Sequence, residues 1–355
     1  MNINPNKYQI KFFRCGDGSK GGDGIVIRLF DIDDKQHLYV IDGGYQATGE
    51  QIVKFIKEVC KSKSVDLIIN THPDRDHISG IIKIIESDLI VGGIVINRPW
   101  KDSGFTTDYF KDKRITENSL ISRIKEEFDY ANTVEELAKS KKITIYKCFE
   151  GYSCDSILEF IGPSQKLYRS KLLSSDKTPE SVFEEWNKPL IKKTFEEEDY
   201  DSKSPIKWFY DENTSDINET SIVTVLNIGN LHFLFTGDTG KDGLSSALDF
   251  YDTQHVKGTS RFTYVQLPHH GSRKNITPEL INRFATPSFI ISCPPEGEHE
   301  GHPSRRLINK ILELKPNAEI YRTGTSSFNI HKGLGLKFNH QNPAKANKKM
   351  DGNTK

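Results

Sequence analysis

Residues 65–87 read VDLIINTHPDRDHISGIIKIIES: an apolar burst, a polar loop holding His72, Asp74, Asp76 and His77, then isoleucines at helical spacing. The short aliphatic run predicts a strand over VDLIINTH, and the spacing of ISGIIKIIES predicts a helix. The loop thus sits at a strand-to-helix turn, where open α/β sheets place their sites. An Asp ahead of a helix is commonly its cap. A cap accounts for one carboxylate, whereas this loop brings two carboxylates and two imidazoles within six residues. Side chains so close in sequence meet at one point only if the loop folds back on itself, a course that Pro73 favours. The segment is read as metal-binding.

Outward from this loop, the first hundred residues alternate strand-like and helix-like segments. YQIKFF, GIVIRLF, HLYVIDGG and LIVGGIVIN predict strands, and GEQIVKFIKEVCKS predicts a helix. One helical stretch is expected at SLISRIKEEFDYANTVEELAKS, then strands at KITIYKC and SILEFIGP. Residues 164–216 are charged and Ser-rich with few periodic apolar positions, which reads as an insertion or lid. Its Trp186, Trp208, Phe209 and Tyr210 imply that part of it packs. Beyond it, SIVTVLNIGNLHFLFTGD reads as two strands joined by a tight turn at Gly229-Asn230. Strand–helix units follow at TYVQLPHHGS, with a helix from about Thr277, and at SFIISCPP, with a helix from about Ser304; a last strand is AEIYRTG. The chain is expected to form a single domain over 1–340, with 341–355 a disordered tail.

Composition excludes several classes. Lys plus Arg and Asp plus Glu each number 49 in 355 residues, so no net field exists to hold a polyanion nonspecifically. No apolar run approaches the roughly 20 residues of a bilayer-spanning helix, and the polar start has no signal-peptide core. The expectation is a soluble, cytoplasmic protein without a membrane partner. Five cysteines form no CxxC pair, which argues against a disulfide framework or a thiolate zinc site. The loop from Gly16 to Gly24 lacks GxxxxGK[ST] and leads into a strand, so it is not a P-loop; Asp17 and Asp23 within it are minor site candidates.

Six of the eleven histidines (His37, His232, His255, His299, His331 and His340) occur singly in ordinary contexts and are read as structural. The other five cluster. Besides His72 and His77 they are His269 and His270 in PHHGS, directly after an apolar strand, and His302 in GHPS, ahead of an apolar helix. Asp238 in FTGD stands at the end of a hairpin strand. These groups recur at strand ends.

The run His72-x-Asp74-x-Asp76-His77 resembles the metal-binding loop of the metallo-β-lactamase superfamily, and Asp238 resembles its metal-bridging Asp. CGDGSKGGDGIVIRL, YVIDGG, NETSIV, PHHGS, GHPS and YRTGTSSF, in this order, narrow the likeness to the metallo-β-lactamase-like domain of ComEC-type competence proteins and their soluble relatives. The resemblance spans residues 10–98 and 217–335 and implies an α/β fold, an αββα sandwich with two mixed sheets face to face and helices outside. The usual loop is HxHxDH; Asp74 stands at its second His position, which hardens the ligand set and shifts preference from Zn2+ toward Mn2+ or a mixed occupancy.

What the resemblance implies is a hydrolase with two divalent ions, Zn2+ or Mn2+, about 3.5–4 Å apart. His72, Asp74 and one PHHGS histidine would hold the first, Asp76, His77 and His302 the second, and Asp238 would bridge them. A metal-activated hydroxide would attack phosphorus, with the other of His269 and His270 as general acid. Asp76, His269 and His270 are the catalytic candidates. Asn218, Ser221, Ser272 and Lys274, with Arg273, would meet substrate, and Asp42 would orient a ligand histidine. The expected activity is that of a phosphodiesterase or nuclease acting on nucleic acid or a small nucleotide, with a possible protein partner at the insertion. The alternatives are hydrolysis of a β-lactam or thioester, and a metal-binding module without catalysis.

Overall fold

Alternation of side chains along the strands sorts them between three layers of core. In a computed structural model, which describes residues 1–16, 21–182, 208, 210, 212–255, 262–285, 288–293, 302–324 and 326–334, Val26, Leu38, Val40, Ile68 and Ile94 pack outward. They meet apolar faces of helices Gln46–Glu58, Arg75–Glu86, Glu117–Glu127 and Asp129–Ser140. Their strand neighbours Ile25, Ile27, Tyr39, Ile41, Ile69 and Val95 point inward and pack with Leu226, Ile228, Phe233, Phe235 and Ile290 of a second sheet. On that sheet's far face, Val223, Val225, Leu234, Val265, Phe289 and Ile291 pack with helices Lys241–Gln254, Pro278–Arg283 and Arg305–Leu314. The layers therefore run helix, sheet, sheet, helix: the αββα sandwich.

The first sheet orders its strands Phe328–Lys332, Ile3–Phe12, Gly24–Asp31, Gln36–Gly43, Leu67–Ile69, Gly93–Val95 and Thr144–Tyr146. It is antiparallel up to Gln36–Gly43 and parallel beyond. The second orders Glu319–Arg322, Ser288–Ile291, Tyr264–Gln266, Leu231–Phe235, Val223–Ile228, Leu158–Gly162 and Tyr152–Cys154. Its parallel half runs from Glu319–Arg322 to Leu231–Phe235. Carboxyl ends of parallel strands deliver Asp42, His72, Asp238 and His269, the edge at which such sheets bind ligands.

Three of the differences from the expected elements have identifiable causes. The single helical stretch is two helices, broken at Phe128 (φ −116, ψ 50), whose ring is buried. Helix Lys241–Gln254 was not anticipated: Gly243 sits in its first turn, and its cap comes from a distant segment, with the Asp242 and Gly243 N–H groups donating to Glu219 at 3.2 and 2.6 Å. Helix Gln165–Ser174 lies inside the expected insertion, yet its Tyr168 and Leu172 are buried in the first sheet's outer core. Residues 183–207, the 341–355 tail, Asp17, Trp186, Phe209, His299 and His340 lie outside the described residues. No helix among the described residues is long and apolar enough to cross a membrane.

Glycines set the position of helix Arg75–Glu86, which starts inside the site loop. The Gly80 N–H donates to the Gly44 carbonyl at 2.8 Å, and a Cβ at Gly80 would stand 1.9 Å from the Gly43 carbonyl oxygen. Backbone cannot yield here as a flexible side chain would. Gly80→Ala is expected to lower the unfolding free energy by roughly 3 kcal/mol or more, the upper range for overpacking, read from urea midpoints at unchanged m value. A loss under about 0.5 kcal/mol would show that the helix is free to shift.

Candidate metal centre

The loops of the site are tied to one another through their backbones. The Ile222 N–H donates to the Thr71 carbonyl at 2.9 Å, the His269 N–H to the Gly237 carbonyl at 3.1 Å, and the Ser304 N–H to the Gly271 carbonyl at 2.9 Å. Gly237 adopts φ +51, and a Cβ there would press on the Thr71 side chain at 2.8 Å. Segments far apart in the chain are thereby held at one point between the sheets' edges.

Hydrogen bonding then decides which imidazole nitrogens carry lone pairs. Asp42, fully buried at φ 53, accepts from the Asn70 side chain (3.2 Å), the Thr71 N–H (2.8 Å), the Thr71 hydroxyl (2.6 Å) and His77 Nδ1 (2.8 Å). An ionised carboxylate only accepts, so His77 Nδ1 carries the proton and Nε2 the lone pair. The Thr71 hydroxyl spends its single proton on Asp42, so its contact with His72 Nδ1 at 3.0 Å is one it accepts. His72 Nε2 is then also a lone pair. His269 is held differently: its Nδ1 lies 3.2 Å from the oxygen of Asn275, whose amide N–H groups donate to the Asp238 and Thr239 carbonyls at 2.8 and 3.1 Å, and 3.1 Å from the Asn218 amide nitrogen.

Asp238 faces the lone pairs of His72 and His77, and also the Nε2 atoms of His269 and His270. Its carboxylate stands 3.3 Å from His77 Nε2, 3.8 Å from His72 Nε2, 3.7 Å from His269 Nε2 and 3.8 Å from His270 Nε2. Asp76 adds an oxygen 3.6 Å from His270 Nε2 and 3.8 Å from His77 Nε2. Buried and without a hydrogen-bond partner are His72 Nε2, His77 Nε2, Asp238 Oδ1 and both nitrogens of His270. Buried polar atoms are ordinarily paired, and acceptors that face acceptors require a cation between them. Their donor types suit a divalent metal.

The electrostatics of the cluster agree. Burial opposes charge on each group, yet at His77 the carboxylates of Asp238, Asp76 and Asp42 overcome it and raise the pKa well above the usual imidazole value. Burial likewise opposes His270, but Asp238, Asp76 and Asp23 bring it to about 9. Against the same burial, His77 and His270 hold Asp76 down to about 2, and the histidines keep Asp238 well below the carboxylate range. Burial dominates at Asp23, which is raised. Burial and then His269 and His270 push His302 down to about 3. The carboxylates thus draw positive charge onto His77 and His270.

Some of the expected site residues meet in ligand groups and others stand beside them. His72, His77 and Asp238 present ligand atoms all within 4.8 Å of one another, as do Asp76, His77 and His270. Asp74 occupies the helix N-cap position but makes no side-chain cap bond; it stands 3.8 Å from His72 and pairs with Lys177 at 3.3 Å. His302, expected on the second ion, stacks on His269 at 5.0 Å between ring centres, and it belongs to no three-residue ligand group among the described residues. Asn218 lies 3.1 Å from His269 Nδ1, so it contacts the ring directly. Ser221 is buried with a partnerless hydroxyl, Ser272 is buried and accepts from the Lys274 N–H at 3.3 Å, and Arg273 pairs with Glu212 at 3.1 Å. Thr71, Asn275 and Gln266 were missed: a polar residue beside a ligand has no periodic signature, and its part is visible only from its hydrogen bonds. The histidines read as structural find ordinary partners, His37 with Asp31, His232 with Asn227 and His255 with Glu159.

No family model and no curated protein matches this chain. Among solved structures, it is similar to AidC, a dizinc quorum-quenching lactonase in complex with a product, at 12% identity and a TM-score of 0.30. The match covers 61% of this chain and 56% of the lactonase chain, so this chain spans little more than half the length of that protein. A likeness so slight has no bearing on this chain's chemistry.

Chelated protein should show the cluster's charge balance in its stability. His270, raised from 6.5 to about 9, stabilises the fold fully below pH 6.5 and loses that contribution as pH rises through 9. Asp76, lowered from 3.8 to about 2, stabilises above pH 3.8 and loses its contribution as pH falls toward 2. The Tm of metal-stripped protein is expected to fall from pH 6.5 to 9, and excess Zn2+ or Mn2+ to suppress that fall. An equal decline with and without metal would contradict the cation requirement.

Proposed function

We propose that the chain is a metal-dependent hydrolase of the metallo-β-lactamase type, using two divalent ions, Zn2+ or Mn2+, on a phosphodiester of nucleic acid or a signalling nucleotide. The observation that carries this is the convergence of buried, partnerless imidazole nitrogens on Asp238. When bound, the ions supply Lewis acidity and a water acidified to near-neutral pKa.

The chain's own groups do the rest. Asp42 holds His72, through Thr71, and His77 with their lone pairs toward the site. His269, held at Nδ1 by Asn275, is the more exposed member of its pair and is suited to carry a proton at Nε2 to or from substrate. The partnerless Ser221 hydroxyl can donate to a substrate oxygen. Lys274, whose charge is among those that depress the His302 pKa, supplies a cation beside the site for a phosphate.

A second reading, hydrolysis of an uncharged β-lactam or thioester, is favoured by the pairing of other nearby cations: Lys177 with Asp74, Arg273 with Glu212 and Lys171 with Asp242. Metal-loaded protein should be assayed against bis-p-nitrophenyl phosphate, single-stranded DNA, RNA, a cyclic dinucleotide, a chromogenic β-lactam and a thioester. Phosphodiester cleavage is expected, lowered at least about 100-fold by Asp76→Ala, while Asp42→Asn weakens metal binding by about 10–100-fold. Turnover of the acyl substrates alone would replace the phosphodiester reading, and turnover of none would leave a binding module.

A further inference from the structure

We infer that Asp23 is a metal ligand, and that with Asp238, His270 and Asp76 it forms a carboxylate-rich pocket for the second divalent ion that prefers Mn2+. This rests on the metal-hydrolase reading and gives the second ion a ligand set without His302. Asp23 directly precedes strand Gly24–Asp31 and is 2% exposed. Its Oδ2 accepts from the Gln266 amide at 2.7 Å, and the Gln266 oxygen accepts from the Thr236 N–H at 3.3 Å. So anchored, Asp23 leaves Oδ1 buried with no partner.

The ligand atoms of Asp23, Asp238 and His270 all lie within 4.8 Å of one another. Asp238 Oδ1 and both His270 nitrogens are likewise buried and partnerless, so the group is more than a cluster of acids. Glycines allow the approach. A Cβ at Gly21 would stand 2.9 Å from His270 Cγ, and one at Gly22 would stand 2.5 Å from the Asp76 carbonyl oxygen.

Counting lone pairs divides the ligands. His77 Nε2 has one lone pair and serves one ion; with His72 and Asp238 it completes the first group. The second ion is left with His270, Asp76, Asp23 and a shared oxygen of Asp238. The first pocket is thus rich in imidazole, while the second has three carboxylates and one imidazole. Imidazole suits Zn2+, and carboxylate oxygens suit harder ions such as Mn2+. His302 stacks on His269 with its Nδ1 buried and partnerless, and it joins none of the three-residue ligand groups among the described residues.

The test compares full-length wild type with Asp23→Asn, both stripped of metal, by calorimetric titration with Zn2+ and with Mn2+ and by elemental analysis. Wild type is expected to bind two ions per chain. Asp23→Asn should keep one Zn2+ at unchanged affinity and lose Mn2+ affinity by at least about tenfold, the lower end of what disturbing a metal's surroundings costs. Two Mn2+ bound by Asp23→Asn as tightly as by wild type would overturn the ligand assignment and leave the hydrolase reading standing. Wild type that binds no divalent ion would overturn that reading itself. Should Asp23→Asn fail to fold by circular dichroism, Mn2+-soaked wild-type crystals decide: anomalous density touching Asp23 supports the assignment, and density touching His302 but not Asp23 overturns it.

Discussion

Electron pairs facing electron pairs in a buried place are the constraint on which this structure turns. Asp238 is surrounded by imidazole nitrogens at 3.3–3.8 Å, and a second carboxylate, Asp76, stands 3.6 and 3.8 Å from two of the same rings. Such an arrangement costs free energy unless positive charge lies within it. Protons can supply that charge, and the raised pKa values of His77 and His270 reflect it. Divalent ions supply more of it and suit the donor types. Asp42 prevents the alternative in which the rings turn their N–H groups inward, because its oxygens are already committed to Nδ1 of His77 and to the Thr71 hydroxyl.

Holding the cluster strains the backbone. Asp42, His269 and His270 all adopt positive φ, and Gly271 continues the left-handed run at φ 82. For non-glycine residues each such conformation costs roughly 1–3 kcal/mol. Two successive histidines in that region persist because the surrounding contacts leave no other course: the His269 N–H is bonded to Gly237, Asn275 grips the Asp238 and Thr239 carbonyls, and the Gly271 carbonyl accepts from Ser304. Core between the sheets supplies the rigid frame, since Ile41, Ile69, Phe235 and Ile290, near the ends of the strands that carry the loops, are all buried in it.

Much of this was legible in the sequence because it repeats locally. The strands announce themselves as short apolar bursts, as in Ile25, Val26 and Ile27, whose side chains the fold then divides between the inner and outer core. Helix Arg305–Leu314 begins one residue after Ser304, whose hydroxyl accepts from the Leu307 N–H. The histidine-bearing loops are likewise local signals. What escaped is what depends on distant partners. Helix Lys241–Gln254 is capped by Glu219 from another segment, and the break at Phe128 serves the burial of one ring. Asp23 sits among glycines, as a turn residue does, and only the approach of Gln266 and His270 distinguishes it.

The departure at Asp74 takes on a different meaning in three dimensions. From sequence, a carboxylate in place of an imidazole hardens the site near His72. In the folded chain, Asp74 also faces Lys177 at 3.3 Å, and the Lys177 ammonium itself lies 5.3 Å from the centre of the Phe128 ring. Part of the Asp74 charge is therefore neutralised by the protein, so its influence on an ion at His72 is weaker than its formal charge suggests. Asp23 and Asp76 draw their compensating charge from His77 and His270 instead. Imidazoles that ligate a metal give up that compensation, and the full negative charge of both carboxylates then falls to the ions. By charge, the hardening that the loop sequence suggests for the His72 side fits better the pocket inferred for Asp23 and Asp76.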